Sequence, residues 1–287
     1  MVIIMSNKEI NREAIRLSRT IETQKAEKLF RYNATHYPCG LTINNLAWFL
    51  YLEYSDYDAN VLIQMFKKAY SLCPNPKSLT AIAQLYFDKG ELLNVEKYLE
   101  AADRFCENKM VKYNMGVVKY RLGKYKEAKN CFKRGYPNKY EEITINAMEG
   151  VIACEIKLKN NLIAKYKIFN LLKCFDILDL GYTPLGFAYM LKNYKFVYNM
   201  IEKRNDLLRL WGPTRDDLFV IINSYAKLQK NFIYYHIDYI KRFLTGYHST
   251  KNLEKEKYFL RTASSKQNNL RYKAGFPYEL SDCYLVD

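Results

Sequence analysis

The chain has 287 residues, 45 Lys/Arg against 30 Asp/Glu for a formal net charge of +15, 49% hydrophobic residues, and only 7 Pro and 11 Gly. That length can bury on the order of three quarters of its unfolded surface, the hydrophobic share excludes disorder, and the shortage of turn formers argues against a strand-rich fold. The 7 cysteines include no Cys-x-x-Cys pair, so they read as small hydrophobes in a reducing compartment rather than as a bridge framework or zinc site.

Taken in order, Met1 to Met5 is apolar but too short for a signal-peptide core. No stretch approaches the roughly 18 apolar residues of a membrane span. The expectation is a soluble, cytoplasmic protein with no membrane partner. Ser6 to Tyr32 reads as helical, with Ser6 as N-cap and Glu9 three residues on as its capping-box partner. Ile10, Ala14, Leu17 and Ile21 form a stripe that Ala26, Leu29 and Phe30 continue. No turn signal divides it, so one long helix and a degenerate hairpin both fit. A helix pair follows over 41–52 and 61–72, closed by Cys73-Pro74-Asn75-Pro76, where neither proline can continue a helix.

Three regular pairs are predicted over 76–108, 109–142 and 143–177. Phe66, Leu99, Phe132, Tyr166 and Met200 fall 33, 33, 34 and 34 residues apart, and Ala69, Ala102, Gly135 and Phe169 keep 33, 33 and 34. Ala83, Gly116 and Gly150 supply a small residue in each first helix. One pair cannot bury its own apolar face, so pairs must stack. The turns Asp88-Lys89-Gly90, Arg121-Leu122-Gly123, Leu158-Lys159-Asn160, Leu191-Lys192-Asn193 and Gln229-Lys230-Asn231 end in Gly or Asn, residues that tolerate the left-handed conformation. Two further pairs are expected at about 179–209, interrupted by Pro184, and 214–244. Beyond 245 the period stops, and a capping helix with a tail is expected.

The stretch from Lys109 to Tyr140 is the most regular. Met115-Gly116 supplies a small contact point, Gly123 ends the helix, and Ala128 and Phe132 lie one turn apart on the next. This resembles the tetratricopeptide repeat, over 76–169 closely and over 26–244 loosely. The resemblance implies an all-α, right-handed helical-hairpin solenoid of about six helix pairs. Its organisation would be a helical segment over 1–39, repeats over 40–245, and a cap with tail over 246–287. It also implies a non-catalytic adaptor or regulator that binds a protein or peptide in a concave groove lined by first helices. By register the groove would hold Asn44, Trp48 and Tyr51; Thr80, Gln84 and Phe87; Tyr113, Val117, Tyr120 and Arg121; Ala147, Val151 and Cys154; and Thr183, Phe187 and Met190. Aromatics there would anchor a ligand while amides and Arg121 reach its backbone. The family's carboxylate clamp is not expected, because Thr80, Gln84, Thr144 and Met148 occupy its places and only Asn114 fits.

Two other readings compete. Between Lys109 and Lys139 ten Lys/Arg stand against one acid, Glu127. Lys124, Lys126, Lys129, Lys133 and Arg134 could form a nucleic-acid-binding face, with Tyr113, Tyr120 and Tyr125 stacking bases. A charged, solvated face is the plainer explanation. Self-assembly into a homo-oligomer through Tyr234, Tyr235 and Tyr239 is the other. Signatures of catalysis are missing. There is no glycine-rich phosphate loop and no His-Glu-x-x-His, and His36, His236 and His248 are scattered. Asp216-Asp217 and Glu141-Glu142 read as first-turn helix acids. No enzyme activity, metal or cofactor is expected.

Overall fold

The structure, a computed structural model, describes residues 6–20, 22–105, 108–135, 142–175 and 183–203, together with Leu180 and residues 220–221, 224–225 and 227–228. Among the described residues every regular element is an α-helix. They fall into two compact units that divide after Gly123. The first holds α1 (Asn7–Ser18), α2 (Thr23–His36), α3 (Gly40–Glu53), α4 (Ala59–Leu72), α5 (Pro76–Asp88), α6 (Leu92–Asp103) and α7 (Lys109–Arg121). The second holds α8 (Tyr125–Arg134), α9 (Glu142–Lys157), α10 (Asn161–Cys174), α11 (Thr183–Met190) and α12 (Tyr194–Lys203).

The first unit is a stack of helix pairs. Ser6 and Glu9 form the predicted capping box: the Ser6 backbone N–H donates to Glu9 Oε2 (2.7 Å), and the Glu9 N–H donates to Ser6 Oγ (3.3 Å). The segment is not one helix. It breaks over Arg19–Glu22 because short hydroxyl side chains compete with the backbone ladder. Ser18 Oγ donates to the Ile15 carbonyl, Thr20 Oγ1 donates to the Leu17 carbonyl, and the Glu22 N–H donates to Thr20 Oγ1. The resulting α1–α2 pair packs as α3–α4 and α5–α6 do, and α7 lies against α6. Asn75 caps α5, with Pro76 at its first position, and Asn108 caps α7.

A single register runs through the second helix of every pair. Phe30, Phe66, Leu99, Phe132, Ile168 and Ile201 each fall eight residues after the residue preceding their helix, and all are buried. One turn earlier come Ala26, Leu62, Val95, Ala128, Ala164 and Val197, also buried. The spacings between the large residues are 36, 33, 33, 36 and 33. The expected packing positions after Phe132 are therefore corrected. Tyr166 and Phe169 are 65% and 54% exposed, and Met200 is half-buried. The slip arises largely because α9 runs 16 residues where α5 and α7 run 13.

First helices carry the complementary small residues. Ala14, Ala47, Ala83, Gly116 and Gly150 are all buried. At Gly150 the fit is tightest: a Cβ there would sit 2.8–2.9 Å from three atoms of the Phe132 ring. The turns keep one shape but not the predicted residue. Gly90 and Gly123 take positive φ (75° and 77°), whereas in the Asn-ended turns it is Lys159 and Lys192 that do so (61° and 58°). Asn160 has φ −83° and precedes α10, matching Glu91 before α6 and Lys124 before α8. Pro184 does not interrupt a helix; it lies in the first turn of α11, where its missing N–H costs nothing.

Gly150→Ala should therefore destabilise the chain. Overpacking costs about 1–3 kcal/mol and outweighs the gain of about 1 kcal/mol in helix propensity. In a Phe132→Leu background the same substitution should become neutral or favourable, read by urea unfolding of the four proteins. A second prediction concerns acid. The Tyr54 hydroxyl, and then the Arg31 guanidinium, hold the Glu27 carboxyl below the usual carboxylate range. A carboxyl depressed in the folded state contributes stability that is complete above its unfolded value and lost as pH falls through the folded value. Tyr54→Phe should thus lower stability at neutral pH, with the deficit shrinking below about pH 4, in unfolding curves taken across pH.

Candidate functional site

Within the first unit the register places the expected groove residues on α3, α5 and α7, at different depths. Asn44, Trp48, Thr80, Tyr113, Val117 and Tyr120 are buried; Tyr51, Gln84 and Phe87 are half-buried; Arg121 is exposed. The accessible ones cluster at the C-terminal ends of their helices and are linked from one repeat to the next. Tyr51 Oη donates to Asp88 Oδ2 and Gln84 Nε2 donates to Asp88 Oδ1, both at 2.9 Å. The Arg121 guanidinium lies 4.4 Å from the centre of the Phe87 ring, a cation–π geometry. Tyr51, Gln84, Asp88, Phe87 and Arg121 thus form one strip across three successive first helices. Asp88 was read from sequence only as a turn residue. Its signal was its offset, since it stands 33 residues before Arg121.

Deeper residues fix this strip. Trp48 packs edge-on against Tyr51 and Phe66, with centroids 5.4 and 5.5 Å away. Ser78 Oγ donates to Asn44 Oδ1 at 3.0 Å, and Asn45 Nδ2 donates to Asn11 Oδ1 at 2.9 Å, so amides tie α3 to α5 and to α1. Asn44 Nδ2 and Trp48 Nε1 are buried donors without an acceptor among the described residues.

In the second unit Ala147, Val151, Cys154 and Phe187 are buried, and Thr183 and Met190 are half-buried. Burial, and then the neighbouring Glu155 carboxylate, push the Cys154 thiol up to about 12, the state of an inert, protonated side chain. The candidate basic face also begins here. Lys124, Lys126, Lys133 and Arg134 are exposed, and Lys129 is half-buried with its Nζ 3.6 Å from Glu155 Oε1. Lys126, Lys129 and Asn130 share a cavity of about 340 Å³ with Leu158 and Asn160. Of the tyrosines expected to stack bases, Tyr113 and Tyr120 are buried and Tyr125 is half-buried.

His36 is exposed and bonds the Tyr32 carbonyl at 2.9 Å while stacking on the Tyr32 ring. Tyr234, Tyr235, Tyr239, His236, His248, Asp216, Asp217 and the 246–287 tail lie outside the described residues. Among the described residues no His/Cys/Asp/Glu group could hold a metal ion, and no helix is long and apolar enough to cross a membrane.

The strip's hydrogen bonds should be measurable. Tyr51→Phe and Asp88→Asn should each cost about 0.5–1.5 kcal/mol or less. The double variant should cost less than the sum, because both remove the same bond; additive losses would show that Tyr51 and Asp88 are independent.

No protein-family model matches the chain, and no curated protein matches it in sequence. Solved structures do match in shape. A tetratricopeptide repeat protein from Parabacteroides merdae aligns over 90% of this chain and 99% of its own, with TM-score 0.61 and 15% identity. PilF of Pseudomonas aeruginosa aligns over 78% of this chain and 96% of its own, with TM-score 0.57 and 13% identity. Yeast Tom70 aligns over 90% of this chain and 54% of its own, with TM-score 0.51 and 14% identity. With the paired helices, the repeating small-against-large contact and the glycine turns, these likenesses establish the architecture: the chain has the all-α, helical-hairpin repeat fold of the tetratricopeptide-repeat proteins.

Proposed function

We propose that the chain is a non-catalytic adaptor or regulator that holds an extended segment of a partner protein along the strip of Tyr51, Gln84, Phe87, Asp88 and Arg121. The observation that supports this most is the strip's continuity: Asp88 joins Tyr51 of α3 to Gln84 of α5, and Arg121 of α7 stacks on Phe87 of α5. Side chains already held by one another lose little freedom when a ligand arrives. The chemistry suits a peptide. Phe87 and Tyr51 offer aromatic surface, Gln84 has donors and an acceptor for a peptide backbone, and Asp88 and Arg121 set opposite charges one repeat apart. The expected site is thus the half-exposed rim of the first helices, with Asn44, Trp48, Thr80, Tyr113, Val117 and Tyr120 as its support.

The test is capture from a native lysate, treated with nuclease, by the wild-type chain and by a Gln84→Ala/Arg121→Ala variant. Both substitutions fall on accessible side chains, so the unfolding curve should stay unchanged. A protein held by the wild type and reduced about tenfold or more on the variant supports the strip. Equal capture by both would overturn it, and material that disappears with nuclease would shift the weight to the lysines of α8.

A further inference from the structure

The outer face of α10 carries a second surface, distinct from the strip. Leu162, Tyr166, Phe169 and Lys173 lie directly opposite the buried Ala164, Ile168 and Leu171, following the i, i+4, i+7, i+11 helical spacing. Leu162 is 82% exposed, Tyr166 65%, Phe169 54% and the adjoining Ile163 48%. A run of large apolar side chains this exposed on one helix is unlike the scattered single hydrophobes of an ordinary surface. Beside it, Lys165, Ile168 and Phe169 join Ala188, Leu191, Asn193 and Phe196 around a cavity of about 200 Å³ between α10 and the α11–α12 turn. That is room for one bulky side chain.

The charge around this stripe has one sign. Between Asn160 and Phe175 there are three lysines, Lys165, Lys167 and Lys173, and no acid. The Lys173 Nζ lies 4.6 Å from the centre of the Phe169 ring, which holds positive charge at the end of the stripe. We infer that this face docks an acidic amphipathic helix of a partner protein, with one large apolar residue seated in the cavity and its carboxylates beside Lys165 and Lys173. A helix matches the occupant's geometry, because the stripe is straight and spans about 16 Å at 1.5 Å per residue. A second copy docking the same face would set lysines against lysines, which is repulsive. A lipid surface would use the exposed residues but not the recessed cavity.

Fluorescence anisotropy with the full chain tests this. The probes are a labelled helical peptide of about four turns, with Leu and Phe on one face and Glu on its flanks, and the same peptide with Lys in place of Glu. The acidic probe should bind at about micromolar Kd and weaken about tenfold on Lys165→Glu/Lys173→Glu and on Leu162→Ser/Phe169→Ser. The lysine probe should bind the charge-reversed variant in preference to the wild type. The Gln84→Ala/Arg121→Ala variant should bind the acidic probe normally, which separates this face from the strip. Absence of binding, equal binding of both probes, or indifference to the α10 substitutions would overturn the inference. So would binding to phosphatidylserine vesicles that the acidic probe does not displace, which would assign the face to membrane.

Discussion

Phe132 lying flat against the bare backbone of Gly150 is the contact on which the second unit turns. Large-against-small is also the rule in the first unit. Phe30, Phe66, Ala14 and Ala47 belong to one buried cluster there. Helices approach closely only where one of them surrenders its side chain, and that approach fixes the rotation of each helix about its axis. Once rotation is fixed, the depth of every other residue follows. On α3 it takes Trp48 inward and leaves Tyr51 at the rim; on α5 it takes Thr80 inward and leaves Gln84 and Phe87 partly open.

The same constraint recasts the positive charge. Lys112 and Lys119 are buried on α7, where they pair with Asp103 and with Glu96 and Glu100 of α6. Lys129 lies near Glu155. Ion pairs taken out of water stabilise weakly against an apolar alternative but are costly to break, so they act as register pins between neighbouring helices. A run of basic residues in sequence is therefore partly internal wiring, and what reaches solvent from it is concentrated on α8.

Helix pairs, caps and breakers were legible because they depend on local chemistry: Ser6 with Glu9, Pro76 after Asn75, glycine at 90 and 123. The period was legible until α9 lengthened. Carrying 34 residues forward from Phe132 lands on Tyr166, an aromatic that looks like a packing residue but faces water, while the aliphatic Ile168 takes the buried place. Spacing alone cannot tell a hydrophobe that packs from one two positions away. The site was half legible for a similar reason. Register identifies a face of α3, α5 and α7, but depth within that face depends on neighbours distant in sequence. Asp88 was overlooked because its role needs Tyr51, 37 residues upstream. The break between α1 and α2 was hidden in Ser18 and Thr20, whose hydroxyls can end a helix without any glycine or proline.

The left-handed residues at 90, 123, 159 and 192 stand 33, 36 and 33 apart. Each marks the same point on the same turn, so the stretch between two of them is a cassette with matching ends. Removing or duplicating one whole cassette of the shorter kind would rejoin like with like, with the large residue of one hairpin meeting the small residue of another. Removing any other length would rotate every following helix by 100° per residue and turn its buried stripe toward water. The molecule's length is in this sense quantised, and gene duplication or deletion could lengthen or shorten it only in steps of a full hairpin.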